Sequence, residues 1–173
     1  RGGEEHAILF FEPSGELREV SRRFPGNQYV SAFGSRVLAF NGGSGAGIYD
    51  DGLQNRIQRN SIFGNLYLGI DLDDGTMPDG ATPNDPGDAD AGPNNAQNFP
   101  VLQSVALNGA NLDIAYSVPS PGTLTVEFFL ADGAGQGRTF LGDATYALGG
   151  GNAVATVSVG PVTSGSRIVA TAT

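Results

Sequence analysis

Apolar residues recur along this chain at two different periods, and the change of period divides it. After Pro100 a two-residue alternation runs through VLQSVAL, LDIAYSV, TLTVEFFL, TFLGDATYAL, AVATVSV and RIVATAT. Turn-forming residues separate these segments at Asn108-Gly109, Pro119-Ser120-Pro121-Gly122, Asp132-Gly133, Gly149-Gly150-Gly151 and Ser164-Gly165. Period two places Leu112, Ile114, Tyr116 and Val118 on one face of one strand, and Leu124, Val126, Phe128 and Leu130 on one face of the next. These residues are the predicted core. Six short strands at such spacing predict an antiparallel β-sandwich of immunoglobulin-like type over residues 100–173, truncated before a seventh strand expected beyond Thr173.

Before that point the pattern is a repeat rather than an alternation. SRVLAFNGGSGAGIYDDG (35–52) and RNSIFGNLYLGIDLDDG (59–75) each read as an apolar pair, Asn, a Gly-rich turn, Gly-Ile, and then Asp-Asp-Gly. The offset is 24 residues from Leu38 to Ile62 and 22 from Ile48 to Ile70. A unit this short, built of short strands, suits one winding of a solenoid, in which each strand pairs with its equivalent one turn away. Asn and Gly recur where corners need left-handed or tight-turn backbone. The same register predicts that Ile48, Ile57, Ile62 and Ile70 point inward and that Asn60 and Asn65 are stacked corner residues. Residues 1–34 do not share the repeat. Ile8 to Val20 fits a hairpin turning at Pro13-Ser14-Gly15-Glu16 or an irregular outer coil.

Between the two patterns, from Asp71 to Asn98, periodicity stops, and seven aspartates (71, 73, 74, 79, 85, 88 and 90) occur with no basic residue among them. Order in such a joint needs cations or favourable turns to offset repulsion. Calcium takes six to eight oxygen ligands from carboxylates, amides and carbonyls. Asp85, Asp88, Asp90 and Asn94 are the candidate ligands, and a solvated linker rich in Asx turns is the alternative. The string is not an EF-hand, because Gly92 replaces an oxygen ligand and no Glu closes the loop.

Composition narrows the partners. The formal net charge is −9 and all nine basic residues are Arg, none of them between Arg59 and Arg138. Nucleic acid is therefore an unfavourable partner. The absence of cysteine excludes disulfides and thiolate chemistry. No apolar run approaches the roughly 20 residues of a membrane-spanning helix. The chain begins at Arg1 and reads as an excerpt of a longer protein.

The words FNGG-x-G, QNRIQRNSIFGN and LGIDL, over residues 35–72, resemble right-handed parallel β-helix repeat proteins of the pectate-lyase-like superfamily, in the form found in bacterial secreted and surface proteins. TPNDPGDAD-x-GPNN-x-QNFPVL resembles the junction after the last coil in that group, and VEFF, a short Gly-x-Gly loop and TFLG resemble its C-terminal immunoglobulin-like module. The resemblance implies an extracellular or cell-surface location; the expected partners are polysaccharides or surface glycans, or neighbouring copies. Enzymes of this class use clustered carboxylates with calcium and Arg, or a carboxylate pair as acid and base. The equivalents here are Asp50-Asp51 and Asp73-Asp74, with Arg56 and Arg59. Both pairs precede Gly, where Asp-Asp-Gly is an ordinary turn, and the lone His6 has no nucleophile or ligand spaced near it.

These features together predict an all-β chain: terminal coils of a parallel β-helix at 35–74, an acidic joint at 75–99 and a sandwich at 100–173. The expected role is non-catalytic, as a structural or interaction segment. The alternative is the C-terminal portion of a polysaccharide lyase or glycoside hydrolase whose active site lies on upstream coils.

Overall fold

The computed structural model describes residues 8–11, 17–21, 36–39, 46–50, 52–72 and 80–173. Among the described residues the chain is all-β, with one short turn of 3-10 type at Pro93–Ala96. Strands β1 (Ile8–Phe11) and β2 (Leu17–Ser21) pair antiparallel, with Phe11 opposite Leu17. Residues 12–16, where the turn is predicted, lie outside the described residues.

Four short strands follow: β3 (Arg36–Ala39), β4 (Ile48–Asp50), β5 (Asn60–Phe63) and β6 (Ile70–Leu72). They form two parallel ladders. Leu38 lies opposite Ile62 in β3–β5, and Ile48 lies opposite Ile70 in β4–β6, the registers set by the repeat. Ile48, Ile57 and Ile62 are buried together with Ile70 packed against them. The backbones approach closely here. A Cβ on Gly47 would stand 2.6 Å from Ile62 Cγ2 and 2.7 Å from the Gly69 carbonyl, so no larger residue fits. Among the described residues each parallel ladder has two strands, and the larger sheets are antiparallel.

All six strands read from the second half are present: β7 (Val101–Asn108), β8 (Asn111–Ser117), β9 (Leu124–Ala131), β10 (Gly137–Tyr146), β11 (Ala153–Ser158) and β12 (Ile168–Ala172). One sheet has the order β11-β8-β7 and the other β10-β9-β12, with every pairing antiparallel. The sheets enclose one apolar core. Leu112, Ile114, Tyr116 and Val118 meet Val126, Phe128, Leu141 and Tyr146 there, and Leu124 and Leu130 are partly buried at its edge. Tyr116 stands edge-on to Phe128 with ring centroids 5.2 Å apart. The Tyr146 hydroxyl donates to the Gly151 carbonyl at 2.7 Å and accepts from the Gly150 N–H at 3.0 Å, which satisfies its polar end inside the core.

Strand β9 departs from simple alternation. Val126, Glu127, Phe128 and Phe129 are all buried, so both of its faces are covered. The core sheet covers one face and the parallel ladders cover the other. Among the described residues no helix is long and apolar enough to cross a membrane.

Candidate functional site

The outer face of the β10-β9-β12 sheet and the loop Asp132–Gln136 receive the segment 52–72, and the contact is made mostly by side chains of the sandwich binding backbone groups of β5 and its flanks. Glu127 Oε2 accepts the Arg59 N–H at 2.8 Å, and Asp132 Oδ2 accepts the Gly64 N–H at 2.7 Å. Gln136 does most. Its Oε1 accepts the Asn65 N–H at 3.0 Å and Asn65 Nδ2 at 2.9 Å, and its Nε2 donates to the carbonyls of Asn65 at 2.7 Å and Tyr67 at 2.6 Å. Gln136 is 6% exposed, so these bonds are formed away from water. Ser61 Oγ donates to the Arg138 carbonyl, Arg138 lies 4.9 Å over the Phe63 ring, and Arg59 lies 5.1 Å over Phe140.

Local structure aims these groups. Asp132 Oδ1 accepts the N–H groups of Ala134 and Gln136, closing the Gly-rich loop beneath its own carboxylate. Gly135 occupies φ +89°, which lets the loop turn and present Gln136. Burial works to raise the Asp132 pKa, but N–H donors from Gln136, Gly64, Ala134 and Gly135 outweigh it and hold the group below the usual carboxylate range. Glu127 is pushed up. Desolvation is the main cause, partly offset by the Arg59 N–H and the Arg59 charge, with Asp143 adding to the rise and Arg56 opposing it.

The joint packs against the same region. Asn98, 2% exposed, is its hub: Oδ1 accepts the Asp85 N–H at 3.0 Å, while Nδ2 donates to the carbonyls of Asp85 and Pro119, both at 2.8 Å. Its backbone N–H donates to Asp88 Oδ1 at 2.7 Å. A cleft of about 760 Å³ remains between segment, joint and sheet, with Asn60, Ile62, Phe99, Glu127 and Phe129 in its walls.

Among the expected calcium ligands, Asp85, Asp88 and Asp90 come together, each offering a carboxylate oxygen within 4.8 Å of the others. Asp90 Oδ1 is buried with no hydrogen-bond partner, as suits a group facing a cation, whereas Asp85 and Asp88 also accept N–H groups. Asn94 is placed elsewhere. Its Oδ1 accepts the Asn55 N–H at 2.7 Å and its Nδ2 donates to the Asn55 carbonyl at 3.0 Å, so it ties the joint to the ladders. Three carboxylate oxygens thus converge in the joint, and the Asn94 side chain engages Asn55.

The candidate catalytic groups have partners of other kinds. Asp50, 5% exposed, accepts the Gly52 N–H at 2.9 Å and Asn55 Nδ2 at 2.6 Å, an Asx turn closing the end of β4. Arg56 binds Gln58, and Arg59 pairs with Asp143 at 3.5 Å on the surface. Asp51, Asp73, Asp74 and His6 lie outside the described residues. Sequence reading missed Glu127 and Gln136. The run Val126-Glu127-Phe128-Phe129 carried a signal for a strand covered on both faces. No family model, curated protein or solved structure matches this chain.

Proposed function

We propose that this chain is a non-catalytic structural segment of a secreted or cell-surface bacterial protein, in which an immunoglobulin-like sandwich closes the end of a right-handed parallel β-helix. One observation carries the reading. Glu127, Asp132 and Gln136 bind the backbone N–H groups of Arg59, Gly64 and Asn65 on either side of β5, which supports a sandwich that covers the end of the ladders. A solenoid end exposes unpaired backbone and apolar interior, and covering both prevents edge-to-edge association.

The repeat registers and the inward isoleucines support the coil reading. The strand order supports the immunoglobulin-like one, since the second and third strands of the sandwich, β8 and β9, are the central strands of opposite sheets. Calcium held by Asp85, Asp88 and Asp90 would stiffen the joint between the two parts. Surface polysaccharides are the partner class expected of the parent protein.

Light scattering of Gln136→Ala combined with Asp132→Ala tests the cap. Removing both side chains should turn a monodisperse chain into one that self-associates through the freed backbone, and unchanged mass would count against capping. Incubation with pectin-like and alginate-like polymers should release neither reducing nor unsaturated ends. Turnover would replace this reading with an enzymatic one.

A further inference from the structure

Strand β5 buries Asn60 and Ile62 and leaves Ser61 and Phe63 half-buried, so an amide shares the inward face with the ladder isoleucines. Asn60 is 4% exposed, and among the described residues neither its carboxamide oxygen nor its carboxamide nitrogen has a hydrogen-bond partner. The side chains of Asn65, Asn94 and Asn98, by contrast, are each bound by protein groups. Buried polar side chains are nearly always paired, so an amide unmet at both ends calls for a partner from outside the chain, a water or a ligand.

Asn60 lines the cleft of about 760 Å³ between segment, joint and sheet. Small-molecule sites span roughly 300–1,000 Å³. Strands β9 and β12 build the sheet side of this cleft. Thr125 and Glu127 lie two residues apart on β9 and so point the same way, and Thr171 of β12 stands directly across from Glu127. All three are in the wall, which thus carries two hydroxyls and a carboxyl. Ile57 and Ile62 give apolar surface on the ladder side, and Phe99 of the joint lines the cleft while 44% exposed.

Charge narrows the ligand. Among the described residues the ionisable side chains of the wall are Arg56, Asp71 and Glu127, and Arg56 is already bonded to Gln58. Two buried carboxyl groups resist an anion. Desolvation raises the Glu127 pKa and so weakens that group as a partner for a cation. What fits is an uncharged molecule with donors and acceptors close together beside an apolar face. A sugar meets this description, because each hydroxyl both donates and accepts while the ring presents its C–H groups on a face. A peptide strand fits less well, since β9 is already paired on both edges by β10 and β12.

We propose that the cleft between β5, β9 and the joint binds an uncharged sugar unit, its hydroxyls held by the Asn60 carboxamide and the Thr125 and Thr171 hydroxyls and its C–H face packed on Phe99. The site rests on the reading that the sandwich docks on the ladders, because that docking forms the cleft. It narrows surface polysaccharides to their neutral residues.

The test titrates the whole isotopically labelled chain with cellotriose, mannotriose and chitotriose, and with trigalacturonate as the acidic counterpart. At least one neutral trisaccharide should move the Asn60 side-chain amide and the Thr125 and Thr171 backbone amides saturably in the millimolar range. Trigalacturonate should bind about tenfold more weakly or worse, since its carboxylates meet Asp71 and Glu127. Thr125→Val removes one hydroxyl at nearly constant shape and should weaken binding about fivefold. Asn60→Leu should weaken it about tenfold or more and keep the fold, because deleting an unmet buried amide forfeits no internal hydrogen bond. No saturable shift at Asn60 with any neutral probe, shifts confined to residues outside the cleft, equal binding of trigalacturonate, or wild-type affinity in Thr125→Val would each overturn the proposal. With a Gln136–Asn65 amide cross-peak present in the same spectra, such a failure strikes the sugar site alone, whereas loss of that cross-peak would overturn the docking and the site together.

Discussion

Replacing Gln136 by Ala removes four hydrogen bonds at one stroke. A buried donor or acceptor left unmet costs about 1–3 kcal/mol. The Asn65 N–H, carboxamide and carbonyl lie in a residue 4% exposed, whereas Tyr67 is 43% exposed and its carbonyl can rehydrate. With three buried groups at stake and some relief from water entering the vacated space, the loss is about 3–5 kcal/mol. The ladders have little to set against it, because their apolar cluster comprises Ile48, Ile57 and Ile62 with Ile70. Local opening of the segment is therefore the expected response. Hydrogen exchange at Gly64, Asn65 and Tyr67 should speed up by about a hundredfold or more, since 1.4 kcal/mol corresponds to a factor of ten. Exchange at Ile114 and Phe128, in the sandwich core, should not change. Gln136→Glu keeps an acceptor but loses both donors and sets a carboxylate against two carbonyls, so it should not rescue the segment. Exchange at 64–67 within about threefold of wild type, or equal acceleration in the core, would refute the reasoning.

Glu127→Gln tests the electrostatics of the same contact. The folded pKa of Glu127 is raised above its unfolded value, chiefly by desolvation. Its contribution is thus fully present below the unfolded pKa and is lost as pH rises through the folded one. The Gln variant should therefore gain stability relative to wild type as pH rises from 4 to 8, and parallel denaturation curves at all pH values would contradict this. Asp132→Asn probes the opposite sign, because its folded pKa is lowered. The stabilisation of wild type over this variant should be present above the unfolded pKa and vanish as acid titrations pass through the folded pKa. Phe128→Ala empties the core beside Tyr116 and should cost about 3–5 kcal/mol in chemical denaturation, with a change under about 1 kcal/mol contradicting the packing. Millimolar calcium should raise the melting temperature by several degrees over EDTA, and Asp88→Asn should abolish the difference. Superimposable melts without calcium uptake would leave the joint held by its hydrogen bonds, those of Asn98 and Asn94 among them.

The strands and the repeat were legible because both are local patterns. Alternation in LDIAYSV and TLTVEFFL marked Ile114, Tyr116, Val126 and Phe128 as core, and all four are buried. The offsets of 24 and 22 residues are the registers of the parallel ladders. The docking contacts were not legible, because their partners lie far apart in sequence and nothing in either stretch names the other. Gln136 sits in Gly-Ala-Gly-Gln-Gly, which reads as a plain turn, and its role appears only when Asn65 is brought beside it. Asn94 looked like a ligand because oxygen-bearing residues alternate around it. A left-handed run at Asn94, Asn95 and Ala96, with φ of 47°, 56° and 49°, accompanies its turn towards Asn55 instead. Glu127 was missed for the same reason, because the second covered face of β9 is supplied by residues distant in sequence.

Nuclear Overhauser contacts in the isotopically labelled chain test most directly whether the sandwich seals the parallel ladders. The Gln136 side-chain amide protons should show cross-peaks to the Asn65 backbone and side-chain amides, alongside backbone cross-peaks between β3 and β5 near Leu38 and Ile62. A Gln136 amide with the shifts and exchange of a solvent-exposed group, and no cross-peak to Asn65, would contradict the account.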